Sequence, residues 1–291
     1  MISVEKVSKT IKGKRILDNL TFSVNKGECV ALIGPNGAGK TSLLSLLLGD
    51  LKTSEGSVLI DHHPPKATWL KGKIAVLQQE NTIPKSVKVK ELIQFFREIA
   101  KRPLTEETID SLLGFTAEQK NQLADKLSGG QRRLLSFVLI LINQTDLLFL
   151  DEPTAGMDTS TRRRFWEIIA TLKKEGKTII YTSHYIEEVE DTAERILILN
   201  KGQLVKDTTP YALGNAEQEK EFVLPKSYLE LVEKSTVINS IIAKKDSIRF
   251  RTYEIEEVWA YLQENGVSIS EIQIQNKSLL ETLFEQTKEE V

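Results

Sequence analysis

A single cysteine and three histidines are all that 291 residues contain of the usual soft metal ligands, and each scarcity excludes something. With Cys29 alone there is no intrachain disulfide. Its setting, Cys29-Val30-Ala31-Leu32-Ile33, makes it a small buried residue rather than a reactive thiol, and a reducing cytosol suits such a chain. The histidine pair His62-His63 sits on a loop with Pro64-Pro65; consecutive residues with no third ligand nearby make a poor metal site, so both read as solvated loop residues. Long apolar runs are missing too. The stretch Phe137 to Ile142 falls far short of the ~20 residues a bilayer-spanning helix needs. Met1-Ile2-Ser3-Val4-Glu5-Lys6 lacks the basic-then-apolar layout of a signal peptide, so a membrane role is expected only through a partner. There is no charge excess either: 39 basic and 41 acidic residues are interspersed, which gives no electrostatic footprint for nucleic acid or an anionic membrane. A hydrophobic content of 40% is ample for a core, and the length suits one large or two modest domains.

What is present begins with Gly34-Pro35-Asn36-Gly37-Ala38-Gly39-Lys40-Thr41-Ser42, entered from the apolar run at Cys29 and left through Leu43-Leu44-Ser45-Leu46-Leu47-Leu48. This is a complete phosphate loop. Missing side chains let successive backbone N–H groups curl around a phosphate at the start of a helix. Lys40 is then expected against the β- and γ-phosphates of a nucleotide, and the Thr41 hydroxyl on Mg²⁺.

The second half of a nucleotide site arrives at Leu147-Leu148-Phe149-Leu150-Asp151-Glu152. An acidic residue at the carboxyl end of a buried strand can hold Mg²⁺, the role expected of Asp151, while Glu152 is placed to orient or deprotonate an attacking water. Two carboxylates desolvated without a catalytic task would bring only cost. The strand Thr178-Ile179-Ile180-Tyr181-Thr182-Ser183 leads to His184, which can donate to a γ-phosphate. In between, Arg162-Arg163-Arg164 open a helix over Thr161 to Leu172 and read as its solvated face.

Alternating strands and helices up to Ile196-Leu197-Ile198-Leu199 predict an α/β fold with a mostly parallel sheet covered on both faces. Short strands at Ile16-Leu17 and Leu20 to Val24, parted by Asp18-Asn19, predict a small antiparallel sheet beside it; Val58 to Ile60 and Ile74 to Leu77 are two further strands. From Val87 to about Asn121 the period is helical, with Leu92, Phe96 and Ile99 on one face, then Ile109, Leu112 and Leu113 after a break at Arg102-Pro103. The domain is expected over 1–206 with a helical insertion over about 82–145, followed by a polar linker at 207–221 and a small α+β module at 222–291. In that module Phe222 to Leu224, Val237 to Ala243, Ser247 to Thr252 and Val267 to Ile272 read as strands, with helices from about Ile255 to Asn265 and from Ser278.

Just ahead of the second acidic strand stands Leu127-Ser128-Gly129-Gly130-Gln131, opening the helical run Arg132 to Ile142. Ser128 and the N–H groups of Gly129 and Gly130 make an anion site at a helix start, yet the arm does not easily fold back onto its own phosphate loop. The phosphate it meets is expected on another subunit. A plain glycine turn capping a helix is the alternative for this pentapeptide alone. Together with the phosphate loop, Asp151-Glu152 and His184, each once and in order, it resembles the nucleotide-binding subunit of an ATP-binding cassette (ABC) transporter across residues 1 to about 206.

That resemblance implies a P-loop NTPase sheet, ATP and Mg²⁺, and a homodimer sandwiching two ATP molecules at the cytoplasmic face of the membrane, where it drives an integral permease subunit. It aligns Gln79, within Val76-Leu77-Gln78-Gln79-Glu80, with the family's Q-loop glutamine facing Mg²⁺ and the membrane partner, Gln78 being the alternative register. Asp158 aligns with the D-loop that meets the opposite subunit, and Ser128 to Gln131 complete the opposite site. Three positions depart from the family's habit: Ile11 stands where an aromatic usually stacks on adenine, and Thr145 and Thr159 stand where proline is frequent. The C-terminal pattern, with Ser278-Leu279-Leu280-Glu281-Thr282-Leu283-Phe284, resembles the tail of drug-, peptide- and lipid-exporting members and implies export. The alternative is a soluble cassette ATPase of translation or DNA repair, although neither a second cassette nor a long coiled coil is present. A GTPase switch lacks its guanine reader, since Asn200-Lys201-Gly202 is followed by Gln203. A catalytically silent sensor is disfavoured by the intact Glu152 and His184.

Overall fold

A computed structural model of the chain describes residues 1–79, 83–84, 86–183, 186–215, 219–238 and 240–276. They fall into two compact units, 1–209 and 210–291.

In the first unit β1 (Ile2–Ile11), β2 (Lys14–Val24) and β3 (Cys29–Ile33) lead into α1 (Lys40–Leu47), β4 (Glu55–Ile60) and β5 (Ile74–Leu77). The helical arm follows as α2 (Val89–Ile99), α3 (Glu106–Leu113), α4 (Ala117–Asn121) and α5 (Gly129–Leu141). The chain returns through β6 (Leu147–Leu150), α6 (Thr159–Lys174), β7 (Thr178–Thr182), α7 (Ile186–Thr192) and the hairpin of β8 (Arg195–Asn200) and β9 (Gln203–Thr208). The main sheet runs β5-β6-β7-β3-β8-β9, parallel except for β9. Strands β3, β6 and β7 are buried at every position, as parallel strands covered on both faces must be, and their unbroken apolar runs are the sequence form of that burial.

A second, antiparallel sheet, β2-β1-β4, pairs Ile2 with Val24 and Val4 with Val58. Val4, Leu20, Leu43, Leu47, Phe149 and Ile180 belong to one buried cluster, so this sheet, α1 and the main sheet share a core. The two short strands expected around Asp18-Asn19 are one strand of 11 residues. The ladder absorbs the polar pair as an irregularity: Asn19 turns to φ 49°, and its N–H donates to the buried Ser8 hydroxyl at 3.0 Å.

In the arm, Val89, Leu92 and Ile93 carry the buried face of α2, whereas Ile99, expected with them, is 61% exposed because burial fades along the helix's last turn. Only the middle one of the three arginines is a solvated helix residue, paired with Glu167 at 3.0 Å. Arg162 pairs with Glu188 at 3.2 Å. Arg164 donates to the carbonyls of Ser111 and Leu112, at the end of α3 where the helix leaves its last carbonyls without partners.

The second unit holds α8 (Pro210–Asn215), β10 (Lys220–Pro225), α9 (Leu229–Glu233), β11 (Ile242–Ala243), β12 (Ser247–Thr252), α10 (Ile255–Glu264) and β13 (Gln273–Asn276). Its sheet order, β11-β12-β10-β13, all antiparallel, with a helix after β10 and after β12, is the split βαβ arrangement. Phe222 stacks on Phe250 at 5.4 Å in a core with Leu224, Ile248, Val258 and Leu262. The expected linker is largely structured: β9 runs to Thr208, its Asp207 held by both ends of the Arg195 guanidinium at 2.6 Å, then α8 follows and β10 begins at Lys220. The strand expected over Val267 to Ile272 starts only at Gln273, because Ser268 and Glu271 cap a short 3-10 turn between them. The helix expected from Ser278 lies outside the described residues.

Candidate functional site

The phosphate loop leaves β3 at Ile33 and enters α1 at Lys40, at the carboxyl end of a central parallel strand. Gly34 must be glycine, since a Cβ there would stand 2.1 Å from the Leu199 carbonyl oxygen. The turn between β8 and β9 braces the loop: Gly202 N–H donates to Ala38 O at 3.0 Å, and Asp18 N–H to Gly202 O at 2.8 Å. Pro35, Asn36, Gly37 and Thr41 are exposed and Ser42 half-buried, while Ala38, Gly39 and Lys40 are buried. Lys40 Nζ donates to the loop's own carbonyls at Gly34 (2.7 Å) and Pro35 (3.1 Å). Burial lowers the Lys40 pKa, and the nearby Glu152 and Asp151 carboxylates work against that.

At the end of β6, Asp151 is buried and accepts from Thr182 Oγ1 at 2.6 Å. The same hydroxyl accepts the Glu152 N–H at 2.8 Å, so one side chain of β7 fixes both members of the acidic pair. Glu152 has φ 43°, a conformation that costs a residue with a Cβ on the order of 1 kcal/mol and persists only where neighbours enforce it. Gln79, expected at the nucleotide's metal, donates from Nε2 to Glu152 Oε2 at 3.2 Å. Lys40, Gln79, Asp151 and Glu152 are therefore brought into one locality.

Arg133 completes that locality and was not singled out in the sequence. Only 7% exposed, it donates to the carbonyls of Gln78, Gln79, Asp151, Glu152 and Pro153. A charged residue beside the apolar run Leu134 to Leu141 was its visible signal. Thr182 gave none: a threonine ending a buried strand is ordinary until its hydroxyl is seen to have two partners.

Ser128 caps α5 through a reciprocal pair of bonds, Gln131 N–H to Ser128 Oγ at 3.2 Å and Ser128 N–H to Gln131 Oε1 at 3.0 Å. Among the described residues neither side chain bonds to the phosphate loop. Gly130 lies so close to the following loop that an added Cβ would be 3.1 Å from Met157 Cα and 3.3 Å from Asp158 Oδ2. The Asp158 carboxylate caps α6, accepting the N–H and hydroxyl of both Ser160 and Thr161, and those bonds hold its pKa well below the usual carboxylate range. Ile11, at the end of β1, is 38% exposed. His184 lies outside the described residues. His63 packs on Trp69, ring centroids 4.6 Å apart, and Lys73 Nζ lies 3.0 Å over the same indole.

A family model described as ABC transporter matches residues 17–155, a span holding the phosphate loop, Gln79, Ser128 to Gln131 and the acidic pair. The chain is 35% identical over 221 residues to the Nod factor export ATP-binding protein I of Rhizobium johnstonii, covering 73% of this chain and 70% of that protein. The chain belongs to the ABC transporter family. The protein of the same name from Burkholderia orbicola is 33% identical over 222 residues, 74% of this chain and 73% of its own. The fold is shared with a solved dimeric ATP-binding cassette in a post-hydrolysis state bound to ADP and Pi, with a TM-score of 0.63 and 22% identity over 72% of this chain and 99% of that one. As an ABC cassette the chain binds and hydrolyses ATP in the service of transport. No helix among the described residues is long and apolar enough to cross a membrane.

Proposed function

We propose that the chain is the ATPase of an exporter, working as a homodimer at the cytoplasmic face of the membrane on an integral permease subunit, with no part in nucleic-acid binding. The observation that carries this reading is the contact of Gln79 with Glu152 beside a buried Asp151, at the carboxyl ends of β5 and β6 in the sheet that carries the phosphate loop. Export is supported by the relatives' names, and pairing by the dimeric cassette of like fold.

In this reading the loop N–H groups from Gly34 to Ser42 hold the phosphates, and Lys40 exchanges the carbonyls of Gly34 and Pro35 for phosphate oxygens. The Thr41 hydroxyl, the Asp151 carboxylate and the Gln79 amide oxygen are hard oxygen donors of the kind that fit Mg²⁺. Bound there with the nucleotide, the ion screens phosphate charge. Glu152 orients the attacking water, His184 holds the γ-phosphate, Ile11 lies against the adenine by aliphatic contact, and Asp158 faces the second subunit. Ser128 and the N–H groups of Gly129, Gly130 and Gln131 close the partner's nucleotide site, because within one chain their cap bonds do not reach the phosphate loop.

The test is Glu152→Gln. Nucleotide affinity is expected to stay within about threefold while turnover falls at least ~100-fold, the scale of general-base loss, and a nucleotide-bound dimer accumulates on a sizing column. Undiminished turnover would remove Glu152 from its role. Purification of the native complex separates the rival: an integral membrane protein is expected to accompany the chain, whereas ribosomes or DNA would favour the soluble class.

A further inference from the structure

The sheet ladder between β5 and β6 stops at Leu77 paired with Leu150, with a last rung from Asp151 N–H to Leu77 O at 2.8 Å. Beyond that rung the two chains carry Gln78-Gln79 on one side and Asp151-Glu152-Pro153 on the other, and no strand pairing holds them. Arg133 does. Its Nε donates to Pro153 O at 3.1 Å, one terminal nitrogen to the carbonyls of Gln78 and of Gln79 (3.1 Å), and the other to those of Asp151 (2.7 Å) and Glu152 (3.2 Å).

A guanidinium has five N–H donors in a rigid planar fork, which suits it to tying two segments at a fixed separation. A buried cation bonded to neutral carbonyls is costly to keep. Burial pushes the Arg133 guanidinium down to about 10, with Asp151 and then Glu152 opposing the shift. Apolar packing alone would be met more cheaply by leucine or methionine. The distinctive feature here is what the carbonyls belong to: they flank the two side chains, Gln79 and Glu152, that meet at 3.2 Å. Arg133 also stands one and a half turns into the helix that Ser128 caps.

We infer that Arg133 is a positioning residue, which extends the β5–β6 connection past its last rung, sets Gln79 against Glu152, and joins that pair to the helix begun by Ser128. The inference rests on the reading of Glu152 as the group that orients water. Arg133 touches no reacting atom in this scheme; it acts through the two segments it ties.

The experiment compares the full chain with Arg133→Met and Arg133→Lys, in steady-state ATP hydrolysis, fluorescent-nucleotide titration and amide exchange. With Met, kcat is expected to fall at least ~10-fold while KM and nucleotide Kd stay within about threefold, a split that general loosening of the fold would not give. Lys, with three donors and no planar fork, is expected to restore part of kcat. In both variants the Glu152 amide, bonded to Thr182 in the native chain, is expected to exchange faster than in wild type while those of β3 are unchanged. Wild-type kcat in Arg133→Met overturns the inference, as does an equal loss of kcat, affinity and folded fraction in both variants. Should Met not fold, the Lys variant decides alone. An inactive wild-type chain would defeat the ATPase reading instead, and amide exchange would still judge the tie: a Glu152 amide as protected in both variants as in wild type refutes it.

Discussion

Replacing Thr182 by valine keeps its shape and removes one oxygen. The residue is fully buried at the end of β7, so no water can take over from the lost hydroxyl. Two bonds go: the donation to Asp151 Oδ1 at 2.6 Å and the acceptance of the Glu152 N–H at 2.8 Å. A bond to a charged group contributes about 1.5–3 kcal/mol and a neutral one about 0.5–1.5 kcal/mol, so the substitution is expected to cost roughly 2–4.5 kcal/mol. For a unit of 150–250 residues each kcal/mol moves the melting midpoint by about 2–4 °C, which puts the fall at roughly 4–18 °C. The loss reaches the site as well: Glu152, at φ 43°, loses one of the bonds that hold it, so hydrolysis is expected to fall along with stability. Thermal unfolding by circular dichroism and steady-state ATPase rates are the assays. Thr182→Ser is the control: it retains the hydroxyl, forfeits one methyl worth about 0.8 kcal/mol, and should retain most of the activity. A valine variant melting within ~1 °C of wild type would refute the reasoning, because two buried polar groups would then have lost their partner at no cost.

Lys40→Ala is expected to weaken nucleotide binding itself by at least ~10-fold, seen by titrating a fluorescent nucleotide, since it removes a charge-assisted donor to phosphate. The Cys29 thiol, pushed up to about 12 by burial, is expected to resist alkylation at pH 8 until the chain is unfolded in urea. Because its folded pKa lies above the unfolded 9.0, the unfolded chain loses that proton first: stability is undiminished below pH 9 and declines as pH rises from 9 towards 12, and in urea titrations Cys29→Ala should flatten that part of the slope. Arg164→Met strips the donors from the Ser111 and Leu112 carbonyls and should speed amide exchange in the last turn of α3, by the ~5-fold or more that about 1–3 kcal/mol implies, while leaving α1 unchanged.

The parts of the molecule that were readable in the sequence are those whose local chemistry is self-contained. The glycine turn from β3 into α1 needs only its own residues, and β3, β6 and β7 announce themselves as unbroken apolar runs because both their faces are covered. Errors came where a polar residue finds its partner far along the chain. Asp18-Asn19 looked like a break until Ser8 was brought across, and Asp207 looked like linker until Arg195 reached it from β8. Arg164 looked like a solvated cation because its acceptors, the carbonyls ending α3, lie on the arm. Arg133 belongs with them: its composition signal was visible, but the five carbonyls it serves come from two separate segments. In Ser268-Ile269-Ser270-Glu271 two local patterns compete, strand-like alternation and a capping box, and the capping box prevails.

The placement of β7 between β6 and β3 has a consequence for biosynthesis. The strand that carries the phosphate loop, Cys29–Ile33, emerges early, yet both its ladder neighbours, Thr178–Thr182 and Arg195–Asn200, come from the ribosome far later. At ~5–20 residues per second the wait is roughly 7–30 s, during which an apolar strand stands with both edges unsatisfied. A nascent chain stalled before Thr178 should therefore aggregate or engage chaperones rather than yield a smaller working cassette.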